Sequence, residues 1–396
     1  MVVNMEWQTA ISNHPELSTA LASCIETLEM TLDDSPDVIF VFVSRHHQDS
    51  WGLIGPVLQK RFPHVDVIGC CGSGIIGGGH EVERSPALSL AATTIPGVEC
   101  RPFHFESTDY AADDLSDDDW RDIFGGARDP QALILLPDPY STDIRPVIAA
   151  ADRLYPDATV IGGMASGGRE PGQHVLIING KSHKSGCVGI ALAGNLVVST
   201  VVAQGCRPIG PPLFATRVDA HTIYEIDGKP ALDVLEAVCK ALPPEEIALA
   251  QQSLFIGLAM DTDRESYGKG DYLVRDVVGA MPEGRALVIA ARPKSQSVIQ
   301  FHIRDARSAW ADLNGLMEAA AESERPYAGG LMFSCVGRGE SLFGENGHDS
   351  RVIRKHMSDL PLAGFFGNGE IGPVGGRTWI HGYTTALALF RQGADA

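Results

Sequence analysis

The densest set of chemically capable side chains lies in Phe333-Ser334-Cys335-Val336-Gly337-Arg338-Gly339 and in Gly367-Asn368-Gly369-Glu370. The first segment puts a thiol and a guanidinium just past an apolar run that reads as a strand. In open parallel sheets ligands bind beyond the carboxyl ends of strands. Glycines on both sides let a planar Arg338 approach a carboxylate or phosphate with two parallel bonds; the alternative is an arginine paired to a neighbouring surface acid. Glu370 sits inside a glycine-rich turn, where it can receive an amine, so that Arg338 and Glu370 together form a clamp for a zwitterion such as an amino acid. Cys335 reads either as a small buried apolar residue or as a nucleophile activated by Arg338 or His381. His381, in Ile380-His381-Gly382-Tyr383, reads as a structural hydrogen-bonding group or as an acid–base group.

These groups need a frame, and one pattern recurs three times along the chain. The first copy runs from the apolar strand Val38–Val43 through a helix pattern carrying Leu53, Ile54, Val57 and Leu58. It continues through a strand at Val65–Ile68 into Gly69-Cys70-Cys71-Gly72-Ser73-Gly74, and Ala87–Ala92 closes it. The second reads Ala132–Leu136, a helix with Val147, Ile148, Ala151 and Leu154, then Ala158–Ile161 and Gly162-Gly163-Met164-Ala165-Ser166-Gly167-Gly168; strands follow at Val175–Ile178 and Val188–Ala193. The third reads Gly330–Ser334, a short helix with Val352, Ile353, His356 and Met357, then Leu360–Ala363 and Gly364-Phe365-Phe366-Gly367-Asn368-Gly369-Glu370. A last apolar strand or helix spans Thr384–Phe390. A strand–helix–strand crossover takes about 30 residues and leaves its two strands parallel. The spacings Val38 to Gly69, Ala132 to Gly162 and Gly330 to Gly364 all fit it. The expected class is α/β: repeated βαβ-type units with glycine-rich strand-end loops, mixed sheets, and two domains with internal pseudo-symmetry.

Two loops match G-x-G-x-x-G, at Gly72–Gly77 and Gly367–Gly372. A dinucleotide site requires a helix to open at the third glycine. Gly77-Gly78-Gly79 follows the first loop, and Pro373 with Gly375-Gly376 follows the second, so neither can supply one. Two readings remain and are compatible: tight turns or bulges between strands, and a cradle in which Gly72, Ser73, Gly74, Asn368 and Gly369 line a ligand.

Between the second and third copies, Gln204–Pro212 is rich in glycine and proline and reads as a domain junction. Beyond it come a helix at Ala231–Ala241, a strand at Leu254–Ala259 and a hairpin of Ala286–Ala291 with Ser297–Ile303. A long helix capped by Asp305 is expected to bury Trp310, Leu313, Leu316, Met317 and Ala320. The net charge of −19 argues against nucleic acid as a partner. Asp113, Asp114, Asp117, Asp118, Asp119 and Asp122 read as a solvated helix face or loop, without the glycine and glutamate of a calcium loop. No secretory signal and no apolar run of membrane length is evident. The eight cysteines include no Cys-x2-Cys pair, and His46 and His47 lack a third ligand, so no metal site is expected. Scattered cysteines in such a chain read as reduced thiols in cytoplasm.

Several of these segments resemble a known family. Ile68–Gly77 with Glu81-Val82-Glu83 resembles the N-terminal FIST domain, and Gln204–Pro212 with Glu225–Leu232 looks like the junction of its halves. Asp271–Arg275, Gln300–Ala306, Cys335-Val336-Gly337-Arg338-Gly339 and Pro361–Pro373 are similar to the C-terminal half. The resemblance implies a helical lead-in at 1–32, a FIST N-terminal domain at 33–222 and a FIST C-terminal domain at 223–391. It also implies a sensory protein of signal transduction that binds a small ligand, an amino acid or related carboxylate, without a cofactor. Because the two halves fill the chain, the signal is expected to pass to a separate protein partner. The ligand-binding set expected from these readings is Arg338, Glu370, Asn368, Ser73, Gly72, Gly74, Gly369, Cys335 and His381, in a pocket between the glycine loops of the two halves. The alternative is an enzyme using Cys335 and His381 for acyl or alkyl transfer.

Overall fold

The structure is a computed structural model that describes residues 4–110, 115–262, 264–268 and 270–393. The chain forms two compact units. The larger holds the residues up to Val202, Asn314–Ile380 and those from Thr384 on; the smaller holds Ala203–Leu313 and His381–Tyr383.

The larger unit contains three six-stranded sheets, each built around one of the three repeats. The first orders β1 (Glu6–Ser12), β6 (Leu88–Thr94), β2 (Val38–Ser44), β3 (Asp66–Gly72), β10 (Leu176–Ile178) and β11 (Lys181–His183). The second orders β7 (Val98–Phe105), β12 (Cys187–Gly194), β8 (Ala132–Pro137), β9 (Thr159–Gly163), β23 (Glu370–Val374) and β24 (Arg377–His381). The third orders β13 (Leu196–Gln204), β25 (Thr384–Gln392), β21 (Gly329–Cys335), β22 (Leu362–Gly367), β4 (Gly74–Gly77) and β5 (His80–Glu83). In each sheet the central pair, β2–β3, β8–β9 or β21–β22, is parallel, as the crossover spacing requires. The leading strands β2, β8 and β21 are buried along their whole length. That is why they read as unbroken apolar runs rather than alternating ones.

Each copy sends the hairpin after its crossover into another copy's sheet. The hairpin β4–β5 of the first copy joins β22 of the third, β10–β11 of the second joins β3 of the first, and β23–β24 of the third joins β9 of the second. The exchange is cyclic. The glycine-rich segments thus lie at strand ends, as at Gly72–Gly74 and Gly367–Gly369, and their first glycines are strand residues. Gly69, Gly162 and Gly364 pair with Val41, Leu135 and Met332. A Cβ at any of the three would overlap the partner's carbonyl oxygen, so no side chain fits.

The smaller unit is an antiparallel barrel. Its strands run β14 (Cys206–Asp219), β20 (Ser297–Arg304), β17 (Leu254–Ala259), β18 (Tyr272–Met281), β19 (Ala286–Ile289) and β15 (Thr222–Ile226), with the short β16 (Lys229–Pro230) beyond β15. A β14–β15 pairing closes the ring. Closure removes the exposed edges that would recruit other strands. Gln204–Pro212 lies at the start of the smaller unit and is largely strand, with a register break between Ile209 and Leu213 that absorbs Gly210-Pro211-Pro212. Two expectations are corrected here. Ala286–Ala291 and Ser297–Ile303 do not form a hairpin, because β19 and β20 are separated by β17 and β18. The helix Ala306–Ala321 is capped by Asp305, whose Oδ1 accepts from Ser308 N at 2.7 Å. It buries Ala309, Leu313 and Met317, but leaves Trp310 and Leu316 exposed.

At the N-terminus the expected helical lead-in also supplies β1, which pairs with β6 ahead of the helix Leu17–Thr31. In the acidic run, Asp113 and Asp114 lie outside the described residues. Asp117, Asp118 and Asp119 are exposed in the first turn of the helix Asp117–Ile123, behind a Ser116–Asp119 capping box.

Candidate functional site: a buried charge cluster in the third copy

Just after β21 the chain turns on Arg338, whose amide donates to Cys335 O at 2.8 Å. Arg338 is fully buried, and its charge is met by Asp349, in the first turn of the helix His348–His356. Nε donates to Oδ2 at 2.7 Å and Nη2 to Oδ1 at 3.0 Å. Thr385 Oγ1 donates to Oδ2 at 2.8 Å, and His348 Nδ1 lies 3.0 Å from Oδ1. The Phe343 ring lies 5.4 Å from the guanidinium carbon and stacks on His348 at 3.4 Å. Burial opposes ionisation of Asp349. The Arg338 charge and the hydrogen bonds outweigh it and hold the carboxyl well below its usual range.

Glu370 opens β23, opposite Gly163, and is fully buried as well. Its Oε2 accepts from Thr384 N at 3.2 Å and from Thr384 Oγ1 at 2.7 Å. Burial raises its pKa to about 8, against the lowering effects of Thr384, Arg338 and the nearby Cys335 thiol. A third carboxyl comes from the exchanged hairpin of the first copy. Glu81 Oε1 accepts from Ser350 N at 2.6 Å, and burial, followed by the Asp349 charge, raises its pKa to about 7. Arg338 Nη1, Glu370 Oε1, Glu81 Oε2 and Ser350 Oγ are buried with no hydrogen bond of good geometry, although the Cys335 side chain reaches the Glu370 carboxyl and the Ser350 side chain the Glu81 carboxyl. Buried polar atoms are nearly always paired, with protein groups or with ordered water.

The structure thus brings Arg338, Glu370 and Cys335 together, within the third copy. Gly72, Ser73, Gly74, Asn368 and Gly369 stand instead at the crossings, where strands pass from one sheet to another. Ser73 N donates to Ser166 Oγ at 2.8 Å and Ser73 Oγ to Phe366 O at 3.3 Å, while Ser166 Oγ also donates to Phe366 O. Asn368 N donates to Met164 O at 3.1 Å and its Nδ2 to Ala165 O at 3.2 Å. All three glycine segments converge, yet these bonds tie the segments to one another. His381 is buried at the end of β24, within the short stretch assigned to the smaller unit. Sequence reasoning missed Asp349, Glu81, His348, Thr384 and Thr385. Asp349 follows Arg338 by only 11 residues, within reach of a search for acids near the arginine; Glu81 stood out only as part of the Glu81-Val82-Glu83 segment, with nothing to link it to Arg338.

A second buried pair occupies the matching place in the second copy. Asp138 and Cys335 each lie three residues beyond the partner of the equivalent glycine, as does Ser44 in the first. His174 Nδ1 lies 2.6 Å from Asp138 Oδ1, both residues are buried, and Ser141 Oγ donates to Asp138 Oδ2 at 2.6 Å. Burial opposes ionisation of Asp138, but the bonds from His174 and Ser141 hold its pKa below the usual value. His174 Nε2 has no partner, and the half-exposed Tyr140 ring stacks on the imidazole at 5.6 Å. Among the described residues no group of three His, Cys, Asp or Glu side chains could hold a metal ion, and no helix is long and apolar enough to cross a membrane.

The FIST N domain profile matches residues 37–229 and the FIST C domain profile residues 231–373. The chain belongs to the FIST family, whose domains are sensory domains of signal transduction. It is 36% identical over 386 residues to an uncharacterised protein of Mycobacterium tuberculosis (strain ATCC 25618 / H37Rv), covering 96% of this chain and 98% of the relative. It is 37% identical over 82 residues to F-box only protein 22 of Homo sapiens, covering 17% of this chain and 20% of that one. A crystal structure of cyanuric acid hydrolase from A. caulinodans aligns over 98% of this chain and all of its own, with a TM-score of 0.33 and 11% identity.

Proposed function

We propose that this FIST protein is an intracellular small-ligand sensor whose ligand, an amino acid or related carboxylate metabolite, is met by Arg338 and Glu370. The observation that carries the reading is the pair of atoms Arg338 Nη1 and Glu370 Oε1, left without a hydrogen bond of good geometry on two fully buried and electrostatically coupled side chains. A buried polar group without a partner costs about 1–3 kcal/mol, and a ligand that satisfies both recovers that cost. The ligand state is then read by a separate signalling protein.

Native mass spectrometry of freshly purified protein, followed by thermal shift with amino acids, tests this. Removing Arg338 alone strands Asp349, so the comparison variant is the double substitution R338M/D349L, which replaces the ion pair by apolar side chains of similar size. A ligand that binds wild type and the folded double variant equally well would refute the assignment. The alternative, acyl or alkyl transfer at Cys335, keeps one support in the closeness of its thiol to Glu370. Turnover together with selective alkylation at Cys335 would favour it.

A further inference from the structure

We propose that Asp138 and His174 form a second small-ligand site, in the second copy. There His174 Nε2 accepts a hydrogen bond from the O–H or N–H of a planar, weakly acidic molecule, and the chain between Ser166 and His174 covers it. The site goes beyond the reading of Arg338 and Glu370 and stands or falls apart from it.

The register shows that His174 is an addition to the shared frame. Ile76, Ile177 and Ile371 pair with Gly364, Gly69 and Gly162. From its own shared glycine to that isoleucine the first copy uses residues 69–76 and the third 364–371, whereas the second uses 162–177, eight residues more. In each copy the residue four past the glycine, Ser73, Ser166 or Asn368, helps to tie the crossing. The second copy has thus made its tie at Ser166 before the chain leaves on its excursion and returns with His174. The histidine is surplus to that tie.

What the excursion delivers is an oriented imidazole. Against the cost of burial, the bonds from His174 and Ser141 hold Asp138 in its ionised form. Its oxygens then only accept, so the ring proton lies on His174 Nδ1. The neutral ring presents a lone pair at Nε2, which is fully buried and meets no donor. A lone pair calls for an O–H or N–H, which a carboxylate does not bring. When the donor is acidic enough the dyad takes its proton: the O–H bond breaks, an N–H bond forms at Nε2, and Asp138 balances the imidazolium. The step adds no net charge to the site.

The cover is thin. A Cβ on Gly168 would sit 2.9 Å from Nε2, so glycine is what lets the backbone close over the lone pair. The excursion is held by bonds of its own, from Arg169 N to Gln173 Oε1 at 2.9 Å and from Gln173 Nε2 to Glu170 Oε2 at 3.2 Å. Arg45 Nη1 adds a bond to Gly167 O at 3.0 Å. Arg169, Glu170, Pro171 and Gly172 are exposed. Beside the imidazole, and only 18° from parallel to it, lies the half-exposed Tyr140 ring. A hydrogen bond to Nε2 lies in the imidazole plane, so a flat donor sharing that plane is also nearly parallel to Tyr140 and can stack on it.

The experiment uses the full chain with 4-nitrophenol and with 4-nitroanisole, which has the same ring without the O–H. Binding is followed by calorimetry and by the visible absorption of the phenol. 4-Nitrophenol is expected to bind at least about tenfold more tightly than the ether. Bound at a pH where the free phenol is mostly protonated, it should show its phenolate absorption. The double substitution D138N/H174F, which keeps a ring and an acceptor for Ser141, should lose about tenfold or more in affinity, and R338M/D349L should change nothing. Access is read by carbethoxylation with diethyl pyrocarbonate, mapped by peptide mass spectrometry. His174 should react at least about tenfold faster than the similarly buried His302, because its cover opens locally. G168A, whose Cβ pushes the cover aside, should raise the rate at His174 about threefold or more. Equal binding of phenol and ether, binding of neither, or binding unchanged in a D138N/H174F chain folded by circular dichroism overturns the site. A His174 that reacts no faster than His302 in both wild type and G168A overturns the cover, and a bound phenol that keeps its neutral spectrum overturns the proton transfer.

Discussion

The second and third copies each gather buried titratable groups around the end of the same leading strand, and the two acids behave in opposite ways. In the second copy Asp138 is an anion served by His174 and Ser141, so folding favours its ionised form. In the third copy Glu370 sits beside a cation whose charge Asp349 has already balanced, so folding favours its protonated form. The frame is shared, and the electrostatics depend on which partner stands next to the acid. The first copy has Ser44 and Ile75 at the matching places.

The largest effect expected from breaking this comparison is at Asp349. D349A leaves the Arg338 charge buried and unpaired, and should cost about 3–5 kcal/mol in urea denaturation, whereas R338M/D349L should cost far less. If D349A costs no more than the double variant, the ion pair is not what organises the third copy.

Next come the shared glycines. G69A and G162A should each cost about 1–3 kcal/mol or more, because the new Cβ meets a backbone carbonyl that cannot step aside. Similar losses in both copies support a common frame, and a neutral G162A would break it.

The sharpest contrast is in pH. Glu370 has a folded pKa raised above its unfolded value of about 4.5, so its contribution to stability is full below that value and is lost as pH rises towards about 8. E370Q should therefore gain on wild type as pH rises through this window. Asp138 has a depressed folded pKa, so its contribution is present above the unfolded value near 3.8 and is lost as pH falls through the lower folded one. D138N should cost about 1–2 kcal/mol at pH 7 and less in acid. Denaturation midpoints of the two variants across pH 3–9 should thus diverge from wild type in opposite senses; parallel profiles would remove the contrast. The smallest effect is at the crossing, where S73A should cost about 1 kcal/mol and leave both pH profiles unchanged.

Much of the frame was legible because it is written in local patterns. Unbroken apolar runs such as Val38–Val43 announced strands buried on both faces, and the spacing to Gly69, Gly162 and Gly364 announced parallel crossovers. Arg338, Glu370 and Cys335 were legible as a group because a charge or a thiol among glycines stands out. Ser73 and Asn368 stood out for the same reason, and the structure shows what no local pattern did, that they tie strands together at a crossing. Trp310 and Leu316 misled because helical spacing shows that apolar residues share a side, and not how much of that side is covered.

From the sequence alone come the three repeats, their parallel pairs and the glycines at which two backbones touch, since each depends on residues a few positions apart or on a spacing repeated within one chain. The exchange of hairpins, the Asp349 partner that turns Arg338 from an open clamp into a balanced ion, and the arrival of Glu81 from the first copy were decided only by the folded structure. Backbone hydrogen bonds are the same for every strand, so no local pattern says which sheet a hairpin will join. The charge state of a buried acid depends in turn on neighbours that this choice brings in.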